Sequence, residues 1–309
     1  MRDSYKREID YARISLLDNC NMKCLYCYDE KNKTNNIIEY DNVINIINVL
    51  DTLKFKKVRF TGGEPLLHPD IEKIIEYTNK YTSINDIGIT TNGIGLIDKV
   101  QSLKKAGLKR INVSLDSLKL DKFNRITKSD KLPEIIEGIL KAKSIGLTVK
   151  INVVLMEANK REIKSFLEFS KKHDILVRFI EIMPFCSNTN FYDKQKMSIF
   201  DYFEDIKYHK ANFDTREVAK YYYTDDNILF GIILPISTNI CRSCNRIRFT
   251  SDLKIRTCLH NNIEVDLSDC INNPNKLENI IVKSLKEKPA KHELLNDKLS
   301  QRSMNKIGG

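Results

Sequence analysis

No stretch of this sequence stays apolar long enough to cross a membrane, and its opening residues, MRDSYKREIDY, lack the apolar segment of an export leader. The expectation is a cytoplasmic protein. Thiols stay reduced in that compartment, so the 8 cysteines read as metal ligands or free thiols rather than disulfides. Low-complexity tracts are absent, as is any repeat beyond the βα alternation described below. No sign of charge dominates: 51 basic against 41 acidic residues leave +10 over 309 residues. An excess that small, spread along the chain, suits nucleic acid, a nucleotide polyphosphate or no charged partner at all. What remains is an ordinary globular composition, 41% hydrophobic and 30% charged, with length enough for a large core.

Residues 11 to 185 alternate apolar, β-branched runs with amphipathic ones. YARISLLD (11–18), KKVRFTG (56–62), DIGITTN (86–92), RINVSLD (110–116), TVKINVVLM (148–156) and VRFIEIMP (177–184) are predicted strands. Between them lie helical repeats such as Leu132, Ile135, Ile136, Ile139 and Leu140, with Gly146 placed to end the helix. Such alternation means βα units and parallel strands, in a doubly wound sheet or part of a (β/α) barrel. Nearly every strand ends in chemistry-bearing residues: Cys20, then Gly62-Gly63-Glu64, Thr91-Asn92-Gly93, Ser114 with Asp116, and Glu181 with Met183. One pocket at the carboxyl ends of the strands is expected to collect them. Beyond residue 185 the pattern breaks into a polar connection, short strands expected to be antiparallel, and a charged helical tail.

Cys20, Cys24 and Cys27 form C-x3-C-x2-C, one ligand short of a closed tetrahedral site and with no histidine nearby. Three thiolates on a four-iron cluster would leave one iron open to a small molecule. A second trio, Cys241, Cys244 and Cys258, is spaced C-x2-C-x13-C. Its spacing leaves two readings open, a zinc ribbon completed by His260 or Cys270, or another cluster. In the intervening NRIRF, strand alternation turns Arg246 and Arg248 to one face and Ile247 and Phe249 to the other. Guanidiniums so placed suit bidentate grip on phosphates.

The first trio, with Tyr26 before its last cysteine and TGGEP (61–65) one βα unit later, resembles the radical S-adenosylmethionine (SAM) superfamily. With the second trio, NVSLD, KINVV, RFIEIMP and the terminal Ile307-Gly308-Gly309, the chain from about residue 11 onward resembles the GTP 3′,8-cyclase family of molybdenum-cofactor biosynthesis. The resemblance implies an incomplete (β/α)6 TIM-type barrel in residues 1–185, closed by a smaller region, 186–309, that carries the second cluster. It implies two [4Fe-4S] clusters, on Cys20, Cys24 and Cys27 and on Cys241, Cys244 and Cys258, with SAM filling the open iron of the first. SAM contacts would fall on Tyr26, Gly63, Ser114 and Met183. GTP contacts would fall on Arg13, Arg59, Thr90, Lys150, Arg246, Ile247 and Arg248, and catalytic roles on Arg178, Gly308 and Gly309. The implied partners are GTP, a flavodoxin- or ferredoxin-type electron donor and the next enzyme of the molybdopterin pathway, with no nucleic acid, no membrane and room for a homodimer. Where the family usually places a basic residue after G-G-E-P-L, this chain has Leu67-His68-Pro69. Two alternatives stand beside this reading, a radical SAM peptide-modifying or maturation enzyme and a zinc-bearing nucleic-acid-binding module.

Overall fold

A computed structural model describes residues 1–30, 34–212, 218–238, 240–292 and 299–308. Gly309 lies outside the described residues. Strands β1 (Tyr11–Ser15), β2 (Lys57–Thr61), β3 (Asp86–Thr91), β4 (Arg110–Ser114), β5 (Thr148–Leu155) and β6 (Leu176–Glu181) fall where the apolar runs placed them. They pair in chain order, each parallel to the last. Helices α1 (Tyr40–Thr52), α2 (Ile71–Tyr81), α3 (Leu96–Ala106), α4 (Leu120–Thr127), α5 (Leu132–Ser144) and α6 (Ile163–His173) form the crossovers, with both α4 and α5 between β4 and β5. Gly146, at φ 81°, adopts the left-handed conformation just past α5 that few other residues tolerate.

The C-terminal part departs from the sequence expectation in two places. The connection after residue 185 contains two short helices, α7 (Thr189–Gln195) and α8 (Ile199–Tyr202). Strands β7 (Tyr208–Lys210), β8 (Lys220–Thr224) and β9 (Leu229–Ile233) are mutually antiparallel, as are β10 (Arg246–Phe249), β11 (Lys254–Arg256) and β12 (Val265–Asp266). Yet β9 joins β6 in parallel, and β10 joins β1 in parallel. The two hairpin groups therefore cap opposite edges of one 12-stranded mixed sheet, hiding edges that would otherwise stay unpaired. Helix α9 (Pro274–Lys286) follows and packs on α1. The result is an α/β fold of partial TIM-barrel type.

Strand alternation sorts the side chains cleanly. Ala12, Ile14, Val58, Phe60, Ile87, Ile89, Ile111, Val113, Ile151, Val153, Val177, Phe179, Ile247 and Phe249 are buried in one core cluster with the helices. Their neighbours in sequence, among them Arg13, Arg59, Thr90, Asn112, Lys150, Asn152, Arg178, Arg246 and Arg248, line a cavity on the other face. A period of two thus gives the sheet an apolar outer face and a polar inner one.

Candidate active site

The cavity encloses about 420 Å³ and is lined by both cysteine trios. Their placement follows from the strand register. The first trio lies on the loop beyond the carboxyl end of β1. In the second, Cys241 and Cys244 precede β10, whose first residue, Arg246, pairs with Tyr11 at the amino end of β1, and Cys258 follows β11, which runs antiparallel to β10 and so leads back toward its start. The trios therefore occupy opposite ends of the chamber, with the length of β1, roughly 16 Å at 3.3 Å per residue, running between them.

At the first end the cysteine loop is anchored by its backbone, with Lys23 and Leu25 N–H groups donating to Thr127 and Ile126 carbonyls in α4 at 3.0 Å. Burial pushes the Cys20 thiol up to about 11, helped by the nearby Glu64, and raises Cys27 to about 12, helped by Cys20. Cys24 is raised too, by burial and then by Cys27 and Asp116. Thiols that resist ionisation alone become ligands when a metal supplies the counter-charge. Glu64, fully buried, accepts from Leu66 N at 3.0 Å, Thr91 Oγ1 at 2.7 Å and Asn92 N at 2.7 Å, which fixes the turn after β2. Asn92 in turn donates to Cys20 Sγ at 3.6 Å. Gly63 lies so close to the Asn19 backbone that a β-carbon would overlap it. Tyr26, Gly63, Ser114 and Met183 all line this end. The Tyr26 hydroxyl is already committed to Asp116 Oδ2 at 2.7 Å, so its contribution to the chamber is its ring and backbone.

The middle of the chamber is basic. Register sets Arg13 between Arg59 on β2 and Arg248 on β10. Gly88 leaves room for the Arg59 guanidinium, which a side chain there would displace. Arg178 donates from Nε and Nη2 to Asn152 Oδ1 at 3.1 and 2.8 Å, and Lys150 Nζ lies 3.4 Å from the Tyr221 hydroxyl. Burial lowers the Arg248 guanidinium well below its ordinary value, and Arg13 and Arg246 add to the effect. Such crowding of like charge is costly unless an anion shares the space. The C-terminal tail reaches the same place: Gly308 O accepts from Arg13 Nε at 3.0 Å and Arg248 Nη1 at 2.6 Å.

At the far end, burial opposes ionisation of Cys244, but Lys288, Arg246 and Arg248 outweigh it and lower the thiol, while Cys241 is raised by burial. His260 lines the cavity near this trio, whereas Cys270 is buried outside it with Sγ 3.3 Å from Leu267 O. Among the described residues no group of His, Cys, Asp and Glu side chains is preformed around a single metal ion. Buried Arg59 Nε, Thr90 Oγ1, Arg246 Nε and His260 Nδ1, all on the chamber wall, find no hydrogen-bond partner among the described residues. Polar groups orphaned this way fit a polar ligand.

Several expectations need adjusting. The Ile247 side chain points into the core, so any contact it makes with a ligand is through its backbone. Glu181 lies outside the chamber, on the opposite face of β6 from Arg178, and binds the Ile236 and Ser237 N–H groups at 2.9 and 3.0 Å. His68 is buried away from the chamber, with Nε2 2.9 Å from Ile38 O and Nδ1 accepting from Asp70 N at 3.2 Å. Tyr11, Lys57, Asn112, Asn152 and His292 line the chamber and were missed. Tyr11 and Lys57 stand two residues before Arg13 and Arg59, so strand alternation would have found them.

Residues 14–170 match the radical SAM superfamily, and residues 175–294 match Molybdenum Cofactor Synthesis C. The chain is 39% identical over 321 residues, the whole of both chains, to a GTP 3′,8-cyclase of Clostridium botulinum (strain Langeland / NCTC 10281 / Type F). The chain belongs to the GTP 3′,8-cyclase family. A second relative of that name, from Alkaliphilus oremlandii (strain OhILAs), is 39% identical over 324 residues, again with full coverage of both chains. In fold, this member of the family is similar to Streptococcus suis SuiB bound to S-adenosylmethionine, with a TM-score of 0.62 at 14% identity over 86% of this chain and 65% of that one. As a radical SAM enzyme of this family it uses SAM and two [4Fe-4S] clusters, and the two trios at opposite ends of the chamber fit that cofactor set.

Proposed function

We propose that the chain converts GTP to (8S)-3′,8-cyclo-7,8-dihydroguanosine 5′-triphosphate, the first step of molybdenum-cofactor biosynthesis. One observation carries this reading: a single chamber has a cysteine trio at each end and a basic wall between them. Cys20, Cys24 and Cys27 would hold the first cluster, and Cys241, Cys244 and Cys258 the second. SAM and the first cluster would supply the one-electron chemistry that takes a hydrogen atom from C3′ of GTP, and closing C3′ onto C8 of guanine would then need one further electron, from the donor named below, and one proton. The protein's own part is positioning and exclusion of water. Tyr26, Gly63, Ser114 and Met183 seat SAM. Arg13, Arg59, Lys150, Arg246 and Arg248 grip the triphosphate, with Thr90 and the Ile247 backbone beside them. Arg178 is held by Asn152 facing the substrate, Gly308 completes the wall, and Gly309 shares with them the catalytic role that the family resemblance implies.

This reading includes a six-unit barrel in residues 1–185 and a C-terminal region, 186–309, that carries the second cluster. It also includes a flavodoxin- or ferredoxin-type donor, product transfer to the next enzyme of the pathway, and a cytoplasmic location. No helix among the described residues is long and apolar enough to cross a membrane. The deciding test is anaerobic turnover of the reconstituted protein with SAM, a reductant and GTP deuterated at C3′. Deuterium in the 5′-deoxyadenosine supports the reading. Deoxyadenosine without deuterium overturns GTP as substrate and moves a peptide-modifying role forward.

A further inference from the structure

Tyr11 stands at the centre of the basic wall. The register of β10, β1 and β2 sets Arg246 and Lys57 directly beside it, one on each neighbouring strand. Its ring centroid lies 4.9 Å from Lys57 Nζ and 5.6 Å from the Arg246 guanidinium carbon, and its hydroxyl accepts from Arg13 Nη1 at 3.1 Å. One aromatic side chain thus touches a cation on each of three adjacent strands. Like charges paired across strands repel, and an electron-rich ring between them offsets part of that repulsion.

We propose that Tyr11 is the positioning residue of the basic wall, holding Arg13, Lys57 and Arg246 in place before the anion arrives and ceding their charge to it afterwards. The inference rests on reading the chamber as a GTP site. The charged groups around Tyr11 are Arg13 on its own strand, Lys57 and Arg59 on β2, and Arg246 and Arg248 on β10. Asp86 on β3 pairs with Lys57 at 3.2 Å and with Arg110 at 2.8 Å. Burial opposes ionisation of the phenol, but Arg13, Arg59, Arg246 and Lys57 outweigh it and bring Tyr11 well below the ordinary tyrosine range. A triphosphate that neutralises those cations lets the phenol rise again. Binding therefore takes up a proton between the two values, and the Tyr11 contribution to affinity falls as pH rises through that window.

The test is calorimetric titration of the reconstituted protein with GTP, and separately with inorganic tripolyphosphate, in buffers of different ionisation heat. It is run somewhat below pH ~10, the ordinary tyrosine value. The parent should take up more protons per anion than Tyr11→Phe. Tyr11→Leu, which loses the ring as well, should weaken both anions at least tenfold and raise KM for GTP by more than it lowers kcat. Equal proton uptake in the parent and Tyr11→Phe would overturn the inference, as would Tyr11→Leu affinity within twofold of the parent. If the parent binds tripolyphosphate but not GTP, the GTP reading fails while the Tyr11 comparison is still decided on tripolyphosphate. Binding of neither anion overturns both.

Discussion

Gly308→Ala tests whether the tail belongs in the chamber. Gly308 sits at φ 63°, and a β-carbon there would overlap Thr61 Oγ1 and meet Ser15 Cβ at 3.4 Å. The left-handed backbone alone costs an L-residue about 1–2 kcal/mol. Relieving the overlap requires Thr61 to turn or the tail to lift, and a strained rotamer adds about 1 kcal/mol. If the tail lifts instead, Gly308 O gives up its guanidinium donors, and hydrogen bonds to charged groups are worth about 1.5–3 kcal/mol each. A strain of about 3 kcal/mol lowers the seated population roughly a hundredfold relative to the lifted one. The expected result is at least a tenfold loss of turnover with GTP, with faster release of C-terminal residues by carboxypeptidase. Adding Thr61→Ala removes the overlapping hydroxyl and should recover part of the protection, leaving only the backbone strain. Parental turnover and parental resistance to carboxypeptidase in Gly308→Ala would refute the argument.

Replacing Cys241, Cys244 and Cys258 together by Ser should lower iron from about eight to about four atoms per chain, and so should replacing Cys20, Cys24 and Cys27. Loss of zinc instead, measured by elemental analysis, would restore the zinc-ribbon reading of the second trio. His68→Ala leaves the Ile38 carbonyl and the Asp70 N–H without their ring partner and should cost about 1–3 kcal/mol in urea unfolding. Because His68 lies off the chamber, KM for GTP should stay unchanged; a raised KM would return it to the phosphate site. Arg302 donates to Asp252 at 2.9 and 2.7 Å and to Glu264 at 2.7 Å, so Arg302→Ala should cost about 1–3 kcal/mol at neutral pH. Burial works against ionised Asp252, but the Arg302 hydrogen bonds outweigh it and hold the carboxyl well below the usual range. That contribution is complete above pH ~4, the unfolded aspartate value, and is lost as pH falls toward the folded one. Unfolding at neutral and acid pH should therefore show a flatter acid decline in Arg302→Ala; an unchanged slope would count against the pairing.

The local chemistry of this protein is written in its sequence. Six apolar runs became six parallel strands because period-two alternation and βα spacing are properties of neighbouring residues. Each trio is confined to a short segment, so its spacing could be read directly. The inward turn of Arg246 and Arg248 followed from alternation within NRIRF, as did the outward turn of Ile247, although resemblance had placed Ile247 among the substrate contacts. Tertiary structure decided what depends on register between distant strands. Only the parallel pairing of β10 with β1 sets Arg248 beside Arg13 and Tyr11 beside Arg246, across more than 230 residues of chain. Only the same pairing puts the second trio at the opposite end of the chamber from the first. Glu181 and Met183 looked alike as strand-end residues, yet Met183 faces the chamber while Glu181 ties down a loop, because β6 ends at Glu181 and the chain beyond it no longer follows the pleat, which would have put both on one face. His68, which in the sequence stood where a phosphate ligand belongs, is a buried strut because the turn after β2 packs against Ile38. Sequence specifies which groups a strand presents; the partner strand, chosen by burial of the whole apolar face, determines which groups meet.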